Sequence, residues 1–189
     1  MRFLLAAAAA VMLVACNQAG SGPALPKLQA GAQAPTQLTP SPPGTQQARI
    51  DQSTRTQLEQ QISQLLDQYA GQFASGMTAV EGTHDEIAAL QPSTDHRWVM
   101  PLHANTAYTF LGACDGDCHN VDLELIDMRT GGVVESDMLD DDYPVVTFTP
   151  TAEGQYMARL LLRDCSVAPC YTGMRVLSQA AAPPAANKG

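Results

Sequence analysis

The chain is poor in basic side chains and in aromatics. Ten lysines and arginines stand against 19 aspartates and glutamates, and aromatic residues make up 5% of the 189, with a single tryptophan. A net charge of -9 excludes nucleic acid as a partner, because holding a phosphate backbone requires a cationic face that releases its counterions. No G-x-S-x-G elbow and no glycine-rich phosphate loop occur, so the expectation is a protein without catalysis, with a degenerate or unrecognised enzyme as the alternative. The apolar run Phe3 to Val14 has 12 residues, 14 with the small Ala15 and Cys16 that end it, and is too short to span a bilayer as a helix. A chain of this length supports one or at most two small domains.

What is present begins with an address. Met1-Arg2, the apolar run and the small residues that follow form the n-region, h-region and cleavage pattern of a secretory signal. Leu13-Val14-Ala15-Cys16 resembles the lipobox of bacterial lipoproteins, which implies that Cys16 is acylated and becomes the N-terminus after cleavage. Asn17 stands where lipoproteins kept at the inner membrane often carry aspartate, so the resemblance implies the outer membrane, with the periplasmic or surface face left open. Two or three acyl chains anchor stably, since each buried methylene contributes about 0.8 kcal/mol.

Setting Cys16 aside leaves Cys114, Cys118, Cys165 and Cys170, an even number that suggests two disulfides outside the cytoplasm. Of three pairings, the C-x3-C and C-x4-C spacings favour the local ones. Zinc held by all four cysteines is the alternative, disfavoured by an oxidising compartment. Haem is disfavoured too, because Cys114, Cys118 and His119 miss the C-x-x-C-H spacing.

Residues 17–48 hold six of the thirteen prolines among Gly, Gln, Ser, Thr and Ala, and are expected to be a disordered tether several nanometres in reach. Residues 179–189 are expected to be a disordered tail. Between them, Ile50, Leu58, Ile62, Leu65, Leu66, Tyr69 and Phe73 recur at mostly helical steps, so residues 49–75 hold an amphipathic helix, ending near Gly71 or Gly76. Its stripe lacks sustained heptads and is expected to pack on the following domain rather than on a partner helix. Residues 76–178 then show seven β-type stretches and two weaker ones around Met77 and Glu86, punctuated by turn residues. Alternation of Tyr156, Ala158, Leu160 and Leu162 against Met157, Arg159, Leu161 and Arg163 predicts a strand with one face on a core. The fold class expected is mainly β: a jelly-roll-like antiparallel β-sandwich preceded by one amphipathic α-helix.

The run Tyr108 to Gly112, the cysteine-bounded Asp115-Gly-Asp117, Val121-Asp-Leu-Glu-Leu-Ile-Asp127, Gly131 to Asp137, Asp140 to Asp142, Pro144 to Pro150 and Gly154-Gln-Tyr156 resembles the bacterial pre-peptidase C-terminal domain over about Trp98 to Leu177. Val121 and Asn105 depart from the family pattern, and no peptidase domain precedes the module. The resemblance implies an accessory sandwich without an active site, which binds a protein or polysaccharide ligand or serves a secreted hydrolase as accessory or inhibitory partner. Collagen binding, known in some relatives, is not expected, because Tyr108, Phe110, Phe148 and Tyr156 are placed as core.

Ten acidic residues and one basic one, Arg129, lie between Asp115 and Asp142. Two expectations follow. The plainer is a solvated acidic face; the sharper is a calcium site from Asp115 and Asp117, to which Asp122 or Asp140 would add an oxygen ligand. The motif is not an EF-hand, since its twelfth position from Asp115 is Ile126. His84, His96 and His103 show no H-x-x-x-H spacing and are expected at the surface or at strand edges.

Overall fold

The computed structural model describes residues 20–40 and 44–179; Cys16 and almost all of the predicted tail lie outside them. In chain order the elements are β1 (Gln46–Gln47), α1 (Gln52–Phe73), β2 (Met77–Ala79), β3 (Glu86–Leu90), β4 (Thr94–Leu102), β5 (Tyr108–Cys114), β6 (Cys118–Asp127), β7 (Gly132–Asp137), β8 (Val145–Phe148), β9 (Gly154–Cys165), β10 (Val167–Ala168) and β11 (Cys170–Gln179). All the stretches with β-type patterning form strands. The short parallel pair β1 and β10 carries no such pattern.

Asp51 sets the start of the helix. Its Oδ1 accepts from the Thr54 backbone N and from Ser53 Oγ, both at 2.8 Å, which satisfies donors that the first turn leaves open. Gly71 lies inside the helix, and the chain turns away at Gly76, whose φ of +81° suits glycine. Asn105, at φ +61°, occupies the left-handed region, which asparagine tolerates better than most side chains.

The strands form two antiparallel sheets, one in the order β2-β11-β5-β8 with β3 also beside β11, the other in the order β4-β9-β6-β7. Together they make the expected β-sandwich with one preceding helix. Phe110, Leu123, Leu125, Leu160, Leu162 and Val176 fill the space between the sheets. On the outer face of the first sheet, Ile62 and Leu66 of α1 pack on Leu111, Ala113, Tyr171 and Leu177. Phe110 and Leu111 are neighbours in sequence and serve opposite faces, as the two-residue strand period requires. Arg175 ties the helix down further, with Nη1 on Asp67 at 2.6 Å and Nε on Asp85 at 2.7 Å.

The outer face of the second sheet departs from expectation. β9 is buried on both sides: Met157 packs with Ile126 and Val133, while Leu161 and Arg159 are also covered. Much of the cover is the segment expected to be a tether. Residues 20–40 run over this sheet as a strap, with Ser21 N donating to Asp95 O, Arg97 N to Ser21 O, Gln29 N to Thr130 O and Val133 N to Gln33 O at 2.8 to 2.9 Å. The prediction for 17–48 is therefore corrected for its described part. Proline and glycine deny the segment a core of its own, yet they leave carbonyls and many amides free to bond a surface already built.

Gly173 marks how closely α1 approaches the sheet, since a Cβ there would lie 2.3 Å from Ile62 Cγ2. Gly173→Ala is expected to lower stability by about 1–3 kcal/mol, seen as a lower urea midpoint, because an overpacked contact forces helix and strand apart. Gly116→Ala, with open space around its Cβ, should leave the midpoint unchanged.

Candidate functional site

The cysteines form the two local pairs. Cys114 and Cys118 close the β5–β6 turn with Cα atoms 5.9 Å apart, and Cys165 and Cys170 close the segment between β9 and β11 at 6.3 Å. Loops this short constrain the unfolded chain little, so each bridge chiefly fixes the shape of its turn.

The four aspartates named as a calcium set are not brought together. Asp115 Oδ2 accepts from Tyr171 N at 2.6 Å and its Oδ1 from Asp117 N; Asp117 Oδ1 accepts from Ser166 Oγ. Asp122 pairs with Arg163, and Asp140 Oδ1 accepts from Asn120 Nδ2 at 2.9 Å. Among the described residues no three carboxylate, imidazole or thiol groups gather as metal ligands. The same pattern runs through the whole acidic stretch. Asp127, Asp137 and Asp141 accept backbone amides of their own turns, from Arg129, Leu139 and Tyr143, and Glu135 accepts from the next residue of β7, Ser136. Short acidic side chains are favoured in turns for this reason. Local hydrogen bonding accounts for much of the density of carboxylates.

Besides Asp115, two members of that stretch are buried. Asp122 and Glu124 point to the outer face of β6, where the β6–β9 register places Glu124 opposite Arg159. Arg159 is 3% exposed and Glu124 2%. Arg159 donates from Nε to Asp95 Oδ2 and from Nη1 to Glu124 Oε2 at 3.0 Å, while Arg97 Nε reaches Asp95 Oδ1 at 3.0 Å. The strap completes this group with its backbone: Thr36 N donates to Glu124 Oε1, and the carbonyls of Thr36, Pro23 and Gly20 accept from Arg159 or Arg97. Two carboxylates and two guanidinium groups balance in charge, which makes their burial tolerable.

At one end of the sandwich an apolar surface is left open. Phe73 and Tyr143 stack with ring centroids 6.0 Å apart and planes 4° apart, and Tyr69 lies about equally near both, at 6.1 and 5.8 Å. Met138 and Leu139 of the β7–β8 loop are exposed beside Tyr143 in sequence, Leu139 by 66%. Asp140, Asp141 and Asp142 interrupt this apolar run. The Tyr69 hydroxyl is pushed above its ordinary pKa, chiefly by burial and further by the negative charges of Asp142 and Asp141. The patch therefore combines aromatic rings with a rim of one charge. Sequence reasoning named Tyr69 and Phe73 as helix stripe and Asp140 to Asp142 as acidic loop; nothing in local sequence joins Phe73 to a tyrosine seventy residues away.

A polar array sits at the opposite edge. Ser21 Oγ is 2.8 Å from His96 Nδ1, and His96 Nε2 is 3.1 Å from Glu86 Oε2, whose other oxygen is 3.1 Å from His84 Nε2. Trp98 lies beside His84. His84 and His96 thus stand at the surface and at an edge strand, as their spacing suggests. Ser166, His119 and Asp164 line one shallow groove, yet Ser166 Oγ donates to Asp117 and Asp164 Oδ1 accepts from Cys165 N, so these three are not arranged as a nucleophile relay.

Arg159→Met is expected to destabilise the fold by about 3–5 kcal/mol, because it strands two buried carboxylates; chemical denaturation measures it. Burial raises the pKa of Asp115 above the ordinary value of 3.8. The folded state therefore holds that proton more tightly than the unfolded one, and stability falls as pH rises from about 4 through the raised value. Asp115→Asn should flatten this part of the stability profile; an unchanged slope would refute the assignment.

No family model matches the chain, and no curated protein matches it either.

Proposed function

We propose that the chain is an outer-membrane lipoprotein, acylated at Cys16, whose sandwich is a non-catalytic interaction module. The observation that carries this reading is the cluster of Tyr69, Phe73 and Tyr143 rings with Asp141 and Asp142 beside Tyr69, together with Met138 and Leu139 exposed in the loop that leads to Tyr143. Both outer sheet faces are covered, one by α1 and one by the strap, while this end keeps large apolar groups in solvent. Exposed aromatic clusters rimmed by polar groups mark protein interfaces, and aromatic anchors dominate their energetics. The carboxylate rim selects a partner face carrying lysine or arginine, whose cations also suit the ring faces. The likeness of residues 98–177 to the pre-peptidase C-terminal domain adds an accessory role, displaying a binding surface rather than performing a reaction.

The anchor and the patch are tested separately. Cys16→Ser should release the protein from the membrane fraction, and the mass of the mature wild-type chain should show acyl groups at Cys16. A photo-crosslinking residue at position 143 should give an adduct of defined mass, with none from a control position at Thr130. Phe73→Ser is expected to weaken that association by about tenfold, or about 1.4 kcal/mol. A soluble wild-type chain would overturn the anchor, and equal crosslinking from both positions would overturn the patch.

A further inference from the structure

Gly20, the first described residue of the strap, is fastened to the β4 edge. Its carbonyl accepts Arg97 Nη2 at 2.9 Å, and a Cβ added to it would collide with Asp95. Ser21 continues the attachment with two backbone bonds to β4 and its hydroxyl on His96. Three residues separate Cys16 from Gly20, and the four chain steps between them reach at most about 14 Å. An acyl anchor at Cys16 therefore holds the sandwich on a short leash by one particular edge. We propose, on the reading that Cys16 carries the anchor, that the β3–β4 edge with Trp98, His84 and Ser21 lies against the lipid headgroups.

The chemistry of the two edges agrees with this orientation. The chain's one tryptophan is on β4, partly buried with its ring 6.4 Å from His84, whose side chain is 76% exposed. Indole rings favour the headgroup level, where one side is apolar and the other wet. At this edge Asp95 is paired with two arginines and Asp85 with Arg175, while Glu86 lies within hydrogen-bond distance of the His84 and His96 rings. In the β4-β9-β6-β7 sheet the acidic loop after β7 sits at the far edge, three strand spacings or about 14 Å away. Turning that edge to the membrane would consume the leash and bring Asp140 to Asp142 against an anionic surface. The favoured orientation points the aromatic patch outward.

Trp98 is also the reporter. Full-length acylated protein is reconstituted in phosphatidylcholine vesicles carrying a dansyl-labelled headgroup lipid, and energy transfer from Trp98 is read. Transfer should remove about half of the Trp98 emission, and a 20-residue Gly/Ser insertion between Gln18 and Ala19, with an r.m.s. reach of about 25 Å, should restore most of it. A variant with Trp98→Phe and Tyr143→Trp moves the reporter to the far edge and should show little transfer. Equal transfer from the two reporters, or no relief by the insertion, would overturn the orientation while leaving the anchor intact. A mature chain without acyl groups would overturn the anchor and this inference together.

Discussion

Arg159 is the residue on which both the second sheet and the strap depend. It sits in the middle of β9, buried, and a guanidinium there is tolerable only with acceptors on every side. Asp95 on one neighbouring strand and Glu124 on the other supply two, so the three strands are joined across their side chains as well as their ladders. The remaining demand is met by backbone: Thr36 gives its carbonyl to Arg159 and its amide to Glu124. Without residues 20–40 these groups would face water and the pairs would weaken toward the small value of surface ion pairs. With them, charge, sheet and strap form one unit.

The strands and the helix were legible because each carries its own period. Tyr156 to Arg163 alternates, and Ile62 and Leu66 recur one turn apart, whatever lies elsewhere in the chain. The strap was not legible, since its composition reports only that it cannot bury itself. A hint was available in the strands it covers. Met157, Arg159 and Leu161 form a face too apolar for solvent, and Asp122 and Glu124 alternate with leucines at positions whose β9 neighbours include arginines. Charges of opposite sign on adjacent strand faces, rather than counted along the chain, would have pointed to a covered surface. The aromatic patch escaped for a related reason: Phe73 and Tyr143 meet only because α1 crosses the sheet that ends in β8.

The acidic stretch shows how composition and chemistry diverge. Ten carboxylates in 28 residues suggest a cation, but Asp115, Asp127, Asp137 and Asp141 each hold the amides of a turn, and Asp122 and Glu124 each hold an arginine. These roles use the carboxylate locally, so the loops need no shared ligand to be ordered. Asp140 holds Asn120 in the same way, and Asp141 and Asp142 also set negative charge beside the Tyr69 ring.

The strap also changes what the second sheet presents sideways. β4 and β7 are its edge strands, and edge strands with open amides and carbonyls recruit other chains. Ser21 takes up groups on the β4 edge and Gln33 one on the β7 edge. One irregular segment thus blunts both rims of the same sheet. Where identical chains come close together, this keeps the sandwich from growing into its neighbours strand by strand.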